Sequence, residues 1–325
     1  MKKILVFSNM DQIGDGIIKL PFLHKIKNRF PEHHFIWVTH AGNSVFNSSI
    51  KNIANQYIDE IYEKVPLASF IFRRVSSEYN LNNKFDIILD TQKAVLRSLA
   101  LKRLNSNIFI SSSLNWMLSD KKPKINKAKE SNYYLNDLFL MLDLISHNEN
   151  DKKFELKFPS NLEKKINGIF DKNLQYFGFA PGSATKERIW DIDNFINVAK
   201  HFEKLNYVPT FFLGPLEKNL KEKILNNLPN AIFPEDLITE FSGPEVVMAC
   251  SKNLFCSLAN DSGTSHMLSV GSKSLVKIVG PTGKKFTIKK NNFYIINSNM
   301  FGGNNVNLIN SDYVIDFIEK KLRIP

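Results

Sequence analysis

Apolar runs of strand length alternate with amphipathic runs of helix length almost from one end of the chain to the other. Lys3–Ser8, His34–Thr39, Phe85–Asp90 and Asn107–Ser111 read as strands in the first half. Asp15–Arg29 and Gln92–Arg103 read as helices, the first with Pro21 as an expected kink. The second half repeats the plan. Tyr176–Ala180, Val208–Leu213, Leu254–Leu258 and Leu275–Val279 read as strands, with an amphipathic helix over Asp191–Leu205 and a terminal helix over Ser311–Leu322. Such alternation predicts parallel sheets with helices on both faces. The pattern loosens between Leu138 and Lys172, where the polar run His147–Lys153 places a domain boundary. The expected layout is residues 1–160, 161–310, and a terminal helix within 311–325.

A chain of 325 residues with 43% apolar residues suits two domains with real cores. Its two cysteines, Cys250 and Cys256, make no disulfide framework and no zinc spacing, and read as buried thiols in a reducing compartment. No run approaches the apolar length of a membrane helix. Met1–Phe7 turns polar too quickly for a signal peptide and reads as a first strand, so a cytoplasmic protein is expected. The net charge of +11 is uneven. Lys64–Glu130 carries 13 Lys/Arg against 5 Asp/Glu, which suits an anionic partner or simply a solvated face. Zinc-finger, RNP-type and recognition-helix signatures are absent, so nucleic acid is the weaker option.

Small and turn residues gather where the strands end, and ligands of open α/β sheets bind at those ends. Asn260-Asp261-Ser262-Gly263-Thr264-Ser265-His266 follows one buried strand and precedes a short helix expected over Met267–Gly271. Free N–H groups at Ser262, Gly263 and Thr264 suit a diphosphate, though Asp261 and Ser262 also read as a plain helix cap. Pro181–Trp190 combines a turn, the hydroxyls of Ser183 and Thr185, and the cations Lys186 and Arg188. Glu217, after Gly214-Pro215, suits ribose hydroxyls or a helix start. Gly14-Asp15-Gly16 follows the first strand and offers either a general base or a cap. The dinucleotide fingerprint G-x-G-x-x-G is missing there. Asp191-Ile192-Asp193 has the form of a metal-holding pair but opens a helix, and reads as a cap. His33-His34 has no carboxylate neighbour of suitable geometry in the sequence.

Taken in order, these segments resemble glycosyltransferase family 9, the ADP-heptose:lipopolysaccharide heptosyltransferases. The resemblance rests on Gly14-Asp15 with Leu20-Pro21-Phe22-Leu23, on Phe85–Gln92 with Leu96-Arg97-Ser98, on Pro181-Gly182-Ser183 with Arg188-Ile189-Trp190, on Asp261-Ser262-Gly263 with His266, and on Gly280-Pro281-Thr282. It implies a GT-B fold, two Rossmann-like doubly wound domains facing across a cleft, with the terminal helix packing back on the N-terminal domain. It implies an inverting, metal-independent transfer, with no cofactor beyond a nucleotide-sugar donor, ADP-heptose above all. Asp15 matches the general base. Ser183, Thr185, Lys186, Arg188, Glu217, Asp261, Ser262, Gly263, Thr264 and His266 fall to the donor. Arg188 stands where a phosphate-binding Lys is usual, with Lys186 as its rival, and Asp11-Gln12 lengthens the turn before Gly14-Asp15. The implied acceptor is an anionic glycolipid of the Kdo–lipid A type at the cytoplasmic face of the inner membrane, with Arg73, Arg74, Lys93 and Arg97 as its cations. Another nucleotide sugar, a non-catalytic GT-B-like binding protein and a GT-B epimerase remain as alternatives.

Overall fold

The computed structural model describes residues 1–67, 79, 81–124, 134–146, 154–281 and 292–324. The chain divides into two units, Met1–Lys157 and Phe158–Pro325.

The first unit runs β1 (Lys2–Ser8), α1 (Ile13–Arg29), β2 (His33–Thr39), α2 (Lys51–Ala54), β3 (Glu60–Tyr62), β4 (Phe85–Asp90), α3 (Val95–Lys102), β5 (Ser106–Ser111) and α4 (Tyr134–Asp143). Its parallel sheet has the order β3-β2-β1-β4-β5. Central β1 is buried from Ile4 to Ser8, because both of its faces are covered. Leu5, Phe7, Ile36, Val38, Ile88 and Phe109 form the core of one face. The chain winds outward from β1 in both directions, so the switch point lies between the ends of β1 and β4.

The second unit runs α5 (Ser160–Ile169), β6 (Gln175–Ala180), α6 (Ile192–Lys204), β7 (Tyr207–Phe211), α7 (Leu220–Asn227), α8 (Pro234–Leu237), α9 (Gly243–Cys250), β8 (Leu254–Asn260), α10 (Gly263–Leu268), β9 (Ser274–Val279), β10 (Phe293–Asn297) and α11 (Ser311–Leu322). The order β10-β9-β8-β6-β7 is again parallel, with its switch point between β6 and β8. Phe177, Phe179 and Phe211 stack along the sheet under Phe195 and Phe202 of α6.

The periodic segments appear where the sequence places them, and the differences have local causes. The edge strands β3 and β10 were not expected. The first is three residues long, and most of the second is half-exposed, so neither carries a strong apolar run. Helix α3 starts at Val95 rather than Gln92. The backbone before it is spent on tertiary bonds, Thr91 N–H to Phe7 O and Gln92 N–H to the Asp90 carboxylate. The short helix expected over Met267–Gly271 begins four residues earlier, at Gly263, where the Ser265 hydroxyl donates to Ser262 O at 2.8 Å. The final helix is a layer of the second unit and not a separate segment. Val314, Ile315 and Ile318 join that core, and Glu319 meets His201 of α6 at 2.6 Å. His34 finds a carboxylate after all, Glu60 on β3 at 2.9 Å. Cys250 and Cys256 are buried free thiols. Among the described residues, no helix is long and apolar enough to cross a membrane.

Candidate functional site

The carboxyl edge of the second sheet carries most of the expected donor residues. Asn260, the last residue of β8, is fully buried and holds the cationic loop in place. Its amide donates to Pro181 O at 2.5 Å, and its carbonyl accepts from Trp190 N–H at 3.2 Å. Trp190 is itself buried and donates its indole N–H to Ile309 O at 2.8 Å. These three anchors fix both ends of the loop that carries Thr185, Lys186 and Arg188. The loop lines a cavity of about 770 Å³, with Asp261, Gly280, Pro281, Asn304, Asn305 and Asn307 as its other walls. Ser183 reaches the same edge by donating its hydroxyl to Asp261 O at 3.2 Å.

Asp261 is held on two sides. Lys277 Nζ lies 2.7 Å from one carboxylate oxygen, and the Arg188 guanidinium lies 3.9 Å from the other. The two cations differ in kind. Lys277 sits inside β9 with its side chain 4% exposed, whereas Arg188 is 46% exposed. Arg188 thus lines the cavity with a half-exposed guanidinium, while Lys277 holds Asp261 from inside the sheet. His266 closes the first turn of α10, which begins at Gly263 and Thr264. Its pKa is pushed down to about 4, chiefly by burial, with Lys277 adding to the effect and Asp261 opposing it. The imidazole is therefore neutral near pH 7 and offers one donor and one acceptor.

Glu217 reaches across the ends of β6 and β7. A Cβ on Gly182 or on Gly214 would lie 2.7 or 2.6 Å from its carboxylate, so both glycines exist to let this side chain approach the backbone. Burial raises its pKa, and backbone N–H groups of its own turn oppose the rise. A second acid, Glu235 of α8, stands nearby. Burial raises its pKa to about 7, opposed by the Leu213 N–H and reinforced by Asp236 and Glu217. It lines a smaller cavity of about 200 Å³ with Phe211, Leu213 and Phe233.

In the first unit, the switch point gathers another set. Asp15 lies in the first turn of α1, half-buried, and among the described residues no hydrogen bond or salt bridge engages its carboxylate. Burial raises its pKa, Lys19 opposes, and Asp11 adds to the rise. Arg97 donates to the Asn9 side chain at 2.6 Å, beside the end of β1. Lys93 is 70% exposed and 3.7 Å from Asp137. Arg73 and Arg74 lie outside the described residues. Buried Asp90 fixes this edge by accepting from the hydroxyls of Ser98 and Ser111. Asp191 and Asp193 do not form a metal pair. Asp191 caps α6 by accepting from Asp193 N–H at 3.0 Å, and Asp193 turns to Lys223 at 2.6 Å.

Sequence reasoning missed Lys277, Asn260, Asn304, Asn307 and Glu235. One signal for Lys277 was present, a lone cation inside the apolar run Ser274–Val279. Asn260 stood in the quoted motif, but its side chain acts on residues some 70 to 80 positions away.

Two parallel doubly wound units, with a cation-lined cavity at the strand ends of one of them, have the Rossmann-like α/β architecture of the GT-B class. The family model for glycosyltransferase family 9 (heptosyltransferase) matches residues 76–306, and the chain belongs to this family. Solved structures agree on the fold. A glycosyl transferase of family 9 from Veillonella parvula DSM 2008 superposes with a TM-score of 0.73 at 18% identity, over 100% of this chain and 98% of that one. The E. coli heptosyltransferase WaaC with ADP-2-deoxy-2-fluoro heptose gives 0.66 at 15% identity, over 98% and 99%. The E. coli ADP-heptose lps heptosyltransferase II gives 0.65 at 13% identity, over 99% of each. No curated protein sequence matches the chain.

Proposed function

We propose that this enzyme transfers heptose from ADP-heptose to an anionic glycolipid acceptor of the Kdo–lipid A type, with inversion at the anomeric carbon. The observation that carries the reading is the cavity in which Lys186 and Arg188 face Asp261 and the carboxamides of Asn304, Asn305 and Asn307, with α10 starting two residues beyond Asp261. A diphosphate needs such cations and N–H groups, and a sugar needs the carboxylate and the neighbouring carboxamides. Ser183, Thr185, Ser262, Gly263 and Thr264 border the diphosphate, Glu217 takes the ribose hydroxyls, and His266 serves as a neutral hydrogen-bonding group. Two of the similar structures are heptosyltransferases, one of them solved with an ADP-heptose analogue.

In the transfer, the acceptor oxygen attacks the anomeric carbon as the bond to the ADP oxygen breaks, and ADP leaves with the electron pair. Asp15 takes the acceptor's hydroxyl proton. Its unengaged carboxylate and raised pKa suit a general base. Lys186 and Arg188 stabilise the charge growing on the leaving diphosphate, so no metal is required. Lys93 and Arg97, with Arg73 and Arg74, meet the acceptor's phosphates and carboxylates at the cytoplasmic membrane face. The test is transfer from ADP-heptose to Kdo–lipid A in EDTA, with wild type and Asp15→Asn side by side and the binding of ADP and of ADP-heptose measured by calorimetry. Transfer by the wild type alone, with equal ADP binding, supports the reading. ADP-heptose binding without transfer refutes the acceptor, and absence of ADP-heptose binding refutes the donor in favour of another nucleotide sugar.

A further inference from the structure

One turn beyond Asp15, on the same face of α1, an ammonium group is sealed inside the first unit. The Lys19 side chain is 2% exposed. Its Nζ donates to Asp11 Oδ1 and to Ser8 Oγ, the latter at 3.0 Å. Asp11 is saturated in turn. Its Oδ1 also accepts from Ser8 Oγ at 2.8 Å, and its Oδ2 accepts from Trp37 Nε1 at 2.8 Å and from Ser44 Oγ at 2.9 Å. The rings of Trp37 and Tyr134 lie 5.5 and 5.7 Å from the ammonium. Residues from β1, the turn after it, α1, β2, the loop after β2 and α4 thus converge on one pair of charges. As a stability device this is a poor choice, because desolvating two ions cancels most of their attraction and an apolar pair of equal size does as well. The nearest use for such a pair is Asp15, which lies one turn before Lys19 on α1, half-buried and with no hydrogen bond of its own among the described residues.

We propose that Lys19, locked by Asp11, is a positioning residue for the Asp15 base, supplying the fixed positive charge against which that carboxylate stays ionised. The inference rests on the assignment of Asp15 as the base. Half-burial alone drives the carboxyl toward its neutral form, and a protonated carboxyl accepts no proton. Lys19 is the first influence opposing that drift, and Asp11 works the other way. Burial penalises the ammonium, but Asp11, Tyr134 and Asp15 more than offset it and hold Lys19 cationic. Lys19, Asp11 and Tyr134 act on this cluster, and deleting either charge of the pair moves Asp15 in a known direction.

The experiment titrates the Asp15 carboxyl directly by carbon-detected NMR, its signal assigned by loss in Asp15→Asn, in the wild type, Lys19→Met, Asp11→Asn and the double variant. The same proteins are assayed for the pH dependence of kcat/KM for transfer from ADP-heptose to Kdo–lipid A. Lys19→Met moves the Asp15 midpoint up, because the cation is lost and the anion remains. Asp11→Asn moves it down. The double variant is uncharged and of similar volume, and it lies between the wild type and Lys19→Met. The acid limb of kcat/KM follows the same order. A packing defect lowers activity in all three without shifts of opposite sign, and shifts of one sign, or none, overturn the proposal. If the single variants fail to fold, the double variant decides, since an unmoved midpoint there overturns it equally. If the midpoints move as stated while Asp15→Asn transfers normally, the electrostatic coupling stands and the assignment of Asp15 as base falls.

Discussion

At the residue scale, the site depends on carboxylates and one imidazole whose surroundings set their charge. Asp15→Asn keeps the shape and removes the proposed proton acceptor, so on that proposal kcat is expected to fall by about 100- to 10,000-fold with ADP affinity unchanged. Glu235 and His266 give opposite pH signatures in stability. Glu235 has an ordinary value of 4.5 when unfolded and about 7 when folded. The folded state binds the extra proton between those values, so stability is full below pH 4.5 and falls as pH rises through 7. Glu235→Gln cannot ionise, so its stability relative to wild type should rise across that window by roughly 1–3 kcal/mol, read from urea denaturation at several pH values. His266 runs the other way, from an ordinary 6.5 to about 4 when folded. There the unfolded chain binds the extra proton, so stability is full above pH 6.5 and is lost as pH falls toward 4. His266→Gln should flatten that slope.

At the scale of elements, strand ends and their loops carry the chemistry, and the strands behind them decide which side chains stay put. Lys277 shows the difference. It lies in the middle of β9 yet reaches the loop that follows β8, where it pins Asp261. Lys277→Met leaves Asp261 without its buried partner and should cost on the order of 3 kcal/mol in chemical denaturation. Adding Asp261→Asn should return most of that stability without restoring transfer. Gly182 tests the reverse case. A methyl there meets the end of the Glu217 side chain first, a group that can rotate away, so Gly182→Ala should fold with less than about 1 kcal/mol of change. The displaced carboxylate should nevertheless weaken ADP binding about tenfold, the worth of one charge-assisted hydrogen bond.

At the scale of the whole molecule, each unit owns a sheet and a core, and the cavity proposed to hold the donor is lined by residues of Phe158–Pro325. Two cooperative unfolding transitions are therefore expected by calorimetry. ADP at one hundred times its Kd should stabilise the unit that binds it by about 2.7 kcal/mol. That shift should appear in the transition of the second unit and vanish in a variant lacking both Lys186 and Arg188. A shift seen only in the first unit would refute the assignment of the nucleotide site.

The alternation of elements, the two-unit α/β architecture and the strand ends at which ligands gather are all legible in the order of residues. Those features follow from short-range periodicity and from glycine, proline and small residues at turns, all visible along the chain. It also carried the motifs by which the family is read. The tertiary structure alone decided which charges meet. Lys277 with Asp261, Asn260 with the Pro181–Trp190 loop, Asp11 with Trp37 and Ser44, and Glu217 against Gly182 are contacts between segments 16 to 79 residues apart. No local pattern encodes them, because parallel pairing and burial bring those side chains together only when the sheets form. The same burial sets their ionisation. His266, Glu235 and Lys19 look ordinary in the sequence, and each takes its charge state from neighbours that only the fold supplies.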